Sequence, residues 1–116
     1  LDGGRLHLTL RTRLNGEVVG DCDAGPEMHF GFHELVAHIA RTRSFTAGTI
    51  LGSGTVSNTD AAAGVSCLSE ARVRELIEQG EVRTPYLVPG DHVQMDVHDR
   101  DGHNLFGTID QRVVSA

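Results

Sequence analysis

Alternation opens the chain. Leu6, Leu8, Leu10, Thr12 and Leu14 share one parity, with His7, Thr9, Arg11 and Arg13 between them. A period of two over this length predicts a half-buried strand. Asn15-Gly16 follows, the dipeptide that type I′ hairpin turns favour, so a return strand is expected from Glu17 to Cys22. Gly25-Pro26 then breaks the sheet pattern.

The spacing next becomes helical. "FGFHELVAHIARTRS" sets Phe32, Leu35, Val36, Ile39 and Ala40 on one face, predicting an amphipathic helix that reaches Arg43. Arg41 and Arg43 suit the negative end of its dipole. Thr49 to Val56 is β-branched and aliphatic, and predicts a short strand that runs out into a tight Gly52-Ser53-Gly54-Thr55 turn. Asn58 to Gly64 reads as a loop of small residues. Ser69 is the expected N-cap of a second helix, "EARVRELIEQ", with Val73, Leu76 and Ile77 inward and Gly80 at its end. Val93, Met95 and Val97 alternate again, Asp101-Gly102 turns, and "NLFGTIDQRVV" returns as a second hairpin. Two hairpins, a lone strand and two helices predict one α+β domain over residues 1–116, mainly β.

At 116 residues, 39% hydrophobic and 22% charged, the chain suits one soluble domain with a modest core. Nothing in it reads as a membrane span or a secretion signal. A net charge of −6 and a pI near 5.5 make nucleic acid and anionic membranes poor partners. Cys22 and Cys67 lack a CxxC spacing; two buried thiols in a reducing cytoplasm is the favoured reading, with a disulfide as the alternative. The chain opens on Leu1 without methionine, which reads as an internal start. All ten basic residues are arginine. That excludes, within this chain, a Schiff-base lysine, a P-loop lysine and a lysine general base.

Candidate chemistry is sparse. His33 and His38 in "HELVAH" are five apart, one too many for the zinc motif HExxH, in which both rings share a helix face. His29 and His33 have the right spacing but enclose Gly31 and lack a third ligand. Asp21 with Asp23, and Asp99 with Asp101, sit at strand ends and turns, where turn chemistry explains them. Glu70 begins the second helix, where the dipole favours a carboxylate. Thr55 in "GSGT" closes a strand.

The order of these parts resembles a known family. "MHFGFHELVAHIARTRSFTAGTILGSGTVSN" is similar to the C-terminal half of fumarylacetoacetate hydrolases: a Met-x-Phe start at Met28 to Phe30, an amphipathic helix, a Thr- and Gly-containing lead-in at Thr46 to Ile50, and a G-[ST]-[GP]-T loop at Gly52 to Thr55. "YLVPGDHVQMDVHDRDGHNLFGTIDQRVV" resembles its closing segment, with L-x-x-G-D-x-V at Leu87 to Val93. "SCLSEARVRELIEQG" is similar to an insert of longer bacterial members. The resemblance covers nearly the whole chain.

It implies a mixed β-sandwich or β-roll, usually a homodimer. It also implies a metal-dependent enzyme, with Mg²⁺ foremost and Ca²⁺ or Mn²⁺ as alternatives, cleaving or rearranging β-diketo acids such as acylpyruvates. In such chemistry the cation chelates the 1,3-dioxygen unit and stabilises the departing enolate. Thr55 matches the loop threonine that contacts substrate, with Ser53 and Gly54 beside it, and Glu70 matches a glutamate that helps activate water. The family's acidic metal ligands, lysine and water-activating histidine fall upstream of the matched region. The chain is therefore expected to be the C-terminal part of a larger catalytic domain, inactive alone. The reading from another class is a non-catalytic β-rich binding or dimerisation module.

Overall fold

A computed structural model describes residues 2–116. The expected first hairpin forms: β1 (Thr9–Leu14) and β2 (Glu17–Asp23) are antiparallel. Asn15 and Gly16 join them with φ of 53° and 88°, the pair of positive values that a type I′ turn requires. The second hairpin joins β3 (His92–His98) to β4 (Asn104–Arg112). The two hairpins merge through β1 and β3 into one antiparallel sheet, ordered β2-β1-β3-β4. Asp91 helps to lock them: its carboxylate accepts from Asn15 Nδ2 (2.9 Å) and the Val88 N–H (2.8 Å). These bonds, the Asn15 one foremost, hold its carboxyl below the usual range.

Register divides the sheet by polarity. Leu10 lies opposite both Cys22 and Val97, and Thr12 opposite Met95, so these share the apolar face. The other face carries ion pairs, Arg11 with Asp21 at 2.9 Å and Arg13 with Asp96 at 3.2 Å. Cys22 is the only fully buried apolar residue among those described. It lies under a 3₁₀ turn at Ala61–Ala63, where its thiol donates to the Ala63 carbonyl at 3.5 Å. Gly20 and Gly64 meet there in an isolated bridge; a Cβ on Gly20 would run into the Val65 carbonyl oxygen. The expected modest core is thus smaller still. Cys67 is half-buried rather than buried, and both thiols are free.

The helices depart from expectation at their ends and faces. The first, α1 (Phe32–Ile39), starts where Glu34 Oε2 accepts the Gly31 N–H (2.8 Å). It ends before Arg41 and Arg43, because a tightening bond from Arg41 N–H to the His38 carbonyl closes the last turn (3.3 Å). The second, α2 (Leu68–Gln79), begins after Cys67 rather than Ser69; the Cys67 carbonyl already accepts from the Ala71 N–H (3.3 Å). Gly80 ends it in the left-handed conformation, as expected. Val73, Leu76 and Ile77 are not inward but 55%, 53% and 78% exposed, since no second layer covers them among the described residues.

Thr49 to Val56 is not a strand. A strand is defined by its ladder, and no described segment pairs with this one; Ile50 is 94% exposed. The expected α+β, mainly β class holds as one open four-stranded sheet with two helices. A second sheet that would complete a sandwich or roll does not form among the described residues. No helix is long and apolar enough to cross a membrane among them either.

Candidate functional site

Unpaired as it is, the segment from Ser53 to Ser57 is held in place and lines a cavity of about 380 Å³. Leu10 and Val97, opposed across β1 and β3, contribute the sheet's part of that lining. Met28 and Phe30 come from the β2–α1 loop, and Phe32 and Leu35 from α1. The polar part is Ser53, Gly54, Thr55 and Ser57, with the carboxylates Asp23 and Glu27. Concavity, apolar surface and a few convergent polar groups are what small-molecule sites share.

The polar segment is positioned by side chains that bond to backbone. The Asn58 amide accepts the Asp23 N–H (2.8 Å) and donates to the Asp23 carbonyl (3.0 Å), completing the end of β2 as a strand residue would. Glu27 Oε2 accepts the Thr59 N–H at 2.6 Å and Asn58 Nδ2 at 3.3 Å. That backbone bond first, helped by the Thr59 and Asn58 side chains, holds the Glu27 carboxyl below its ordinary range. Asp23 Oδ1 is engaged by the Gly25 N–H (3.0 Å). From the other side, Ser66 Oγ donates to the Val56 carbonyl (2.5 Å).

Glu70 belongs to this scaffold. It stands in the first turn of α2, as expected, but it is half-buried rather than free. Glu70 Oε1 accepts from Ser57 Oγ at 2.7 Å and from Arg74 Nη2 at 2.5 Å, and Arg74 Nη2 also reaches the Asn58 carbonyl at 3.0 Å. Glu70 is absent from the cavity's lining and is linked to it through Ser57, two residues from Thr55. Ser53, Gly54 and Thr55 are brought together at the cavity. The turn that should contain them differs from expectation. Gly52 and Gly54 lack positive φ, and a Cβ on either would meet nothing within 4 Å. They leave open space rather than a forced bend.

Sequence reading missed Asn58, Glu27 and Arg74: Asn58 and Glu27 act on partners 31 to 35 residues away, and Arg74 on Asn58, 16 residues away, and on Glu70, one helix turn back. An amide and carboxylates flanking a run of small residues gave only a faint signal. As for a metal, the cavity's two carboxylates each give one oxygen to a backbone N–H, Asp23 Oδ1 to Gly25 and Glu27 Oε2 to Thr59. Asp99, Asp101 and His103 do bring ligand atoms within 4.8 Å of one another, but in the β3–β4 turn. Asp99 is spent there: Oδ1 accepts the Asp101 N–H (2.9 Å) and the His103 N–H (2.8 Å), and Oδ2 faces His103 Nδ1 at 3.1 Å. The His103 N–H chiefly holds the Asp99 carboxyl below its usual range. This is turn chemistry, as expected for Asp99 and Asp101.

The family model described as fumarylacetoacetate (FAA) hydrolase C-terminal matches residues 2–114. No curated protein matches the chain.

Proposed function

This chain belongs to the fumarylacetoacetate hydrolase family, and from that premise we propose that the full-length protein hydrolyses the C–C bond of a β-diketo acid of acylpyruvate or fumarylacetoacetate type. Decarboxylation or isomerisation of a related 2-oxo acid is the neighbouring chemistry on the same scaffold. The observation that carries the reading is the lining of the cavity: Ser53, Gly54 and Thr55 line it together with a continuous set of apolar side chains.

In this reading the Ser53 and Gly54 amides and the Thr55 hydroxyl receive the anionic 2-oxo acid end, where a donor held in place costs no reorganisation. Water adds to the distal acyl carbonyl and the C–C bond breaks. One product is a carboxylic acid, and the electron pair leaves on the enolate of pyruvate, which then takes up a proton. Glu70 acts through Ser57 on the position of the Thr55 loop, and is the proposed water-activating carboxylate. The divalent cation, Mg²⁺ foremost, is proposed to be held by residues outside 1–116, and the working form to be a homodimer.

The test is incubation of the full-length protein with acetylpyruvate and Mg²⁺. Pyruvate and acetate should appear in equal amounts. Release of carbon dioxide without pyruvate moves the protein to the decarboxylases, and no reaction with any dioxo acid removes the hydrolase reading.

A further inference from the structure

Asn58 is gripped from two sides. Its side-chain amide bonds both ways to the main chain of Asp23 at the end of β2, at 2.8 and 3.0 Å. Its own main-chain carbonyl accepts from Arg74 Nη2 on α2 at 3.0 Å. The same nitrogen donates to Glu70 Oε1 at 2.5 Å, and that oxygen accepts from Ser57 Oγ at 2.7 Å. A guanidinium Nη carries two hydrogens, so one group serves both acceptors. Ser57 and Asn58, neighbours in the chain, are thus tied to α2 through a single ion pair, the first by its side chain and the second by its backbone.

Arg74 and Glu70 are both half-buried. Arg74 does not line the cavity, whereas Ser57 does, along with Ser53, Gly54 and Thr55. An ion pair one helix turn apart adds little to a helix by itself. A bond from a charged donor to a main-chain carbonyl is stronger and directional, so this one dictates where the Asn58 backbone lies. Thr55 stands three residues before it. Misplacing a substrate-binding group by about 1 Å can cost about a hundredfold in rate. Ser66 Oγ holds the Val56 carbonyl from the same flank, so loss of Arg74 would loosen the segment without releasing it.

Resting on the hydrolase reading, we infer that Arg74 is a positioning residue for the substrate-binding wall. It fixes the Ser57–Asn58 backbone to α2, and through it the Thr55 hydroxyl, without touching substrate.

The experiment is a double-mutant cycle in the full-length protein, with acetylpyruvate and Mg²⁺. Arg74→Met keeps the aliphatic stem and removes the charge and the donors. It should raise KM and lower kcat/KM about tenfold, the effect of losing a hydrogen bond from a charged group. Thr55→Val should then cost at least about threefold less in the Arg74→Met background than in the wild type, because a hydroxyl already out of place has little left to lose. Arg74→Lys keeps the charge and should recover part of both effects. A merely structural role gives less folded enzyme: a lower apparent kcat, an unchanged KM and the full Thr55→Val cost. That result overturns the inference.

Hydrogen exchange reads the same positioning without turnover. The Asp23 N–H is bonded to Asn58 Oδ1 and the Thr59 N–H to Glu27 Oε2, so both amides report on how firmly the segment is held. In Arg74→Met they should exchange about threefold faster or more, while the ladder amides of β1 and β3 keep their wild-type rates. That outcome, with no dioxo acid cleaved by the wild type, would sink the hydrolase and leave Arg74 as the residue that positions this wall. Unchanged exchange at both amides overturns the inference whatever the activity. Should Arg74→Met fail to fold, Arg74→Gln carries both comparisons.

Discussion

At the scale of single residues, Thr55 and Glu70 divide the work between contact and positioning. Thr55 lines the cavity from an unpaired, exposed segment, so its loss should scarcely reach the sheet. Thr55→Val keeps the branched shape and removes the hydroxyl donor. In the full-length enzyme kcat/KM should fall by about 1.5–3 kcal/mol, the scale of a hydrogen bond to a charged group, and Thr55→Ser should recover much of it. Unfolding with intact kinetics in the surviving fraction would make Thr55 structural. Glu70 is different, because its carboxylate already holds Ser57 and Arg74. Glu70→Gln breaks a partly buried ion pair and should cost about 1 kcal/mol of stability by denaturant melting. If it also activates water, kcat should fall far more than that loss explains; an unchanged kcat leaves it a positioning residue.

At the scale of elements, the segment after Val56 is fastened to β2 by a carboxylate and an amide, and this makes the fastening sensitive to acid. Glu27 has its folded-state pKa depressed, chiefly by the Thr59 N–H. A depressed carboxylate contributes stability that is present above its unfolded value, about 4.3, and is lost as pH falls through the folded one. Hydrogen exchange at the Thr59 amide should therefore show protection at neutral pH that fades only below the carboxylate range. Glu27→Gln should remove that pH dependence. Protection that persists unchanged in Glu27→Gln would assign the fastening to Asn58 alone.

At the scale of the whole molecule, Val73, Leu76 and Ile77 of α2 stay exposed, and the described residues that bring three possible ligand atoms together, Asp99, Asp101 and His103, lie away from the cavity. Titration of Mg²⁺ into the 116-residue chain should give no stoichiometric, tight binding, and the chain alone should not turn over an acylpyruvate. Tight one-to-one binding that Asp99→Asn abolishes would instead make the β3–β4 turn a true cation site.

How much of this was legible depends on distance along the chain. Both hairpins could be read because an Asn-Gly or Asp-Gly turn and alternation are local, and β1 pairs with β2 across two residues. Helix centres were legible for the same reason, while their ends were decided by bonds such as Arg41 to His38 and by Cys67 taking the cap position. Of the cavity's polar lining, Ser53, Gly54 and Thr55 fall in the motif Gly52 to Thr55, whereas Asp23, Glu27 and Ser57 lie outside it. The tertiary structure alone decided that β1 stands beside β3, and that Asn58 completes β2. It also decided that Gly20 must be glycine because Val65 presses on it, and that Glu70 is tied to the Thr55 segment through Ser57 and, by way of Arg74, through Asn58. Composition and short periods report how a residue suits its neighbours in sequence. Strand order, backbone clamps and the lining of a cavity depend on which distant groups arrive, and that is settled by packing.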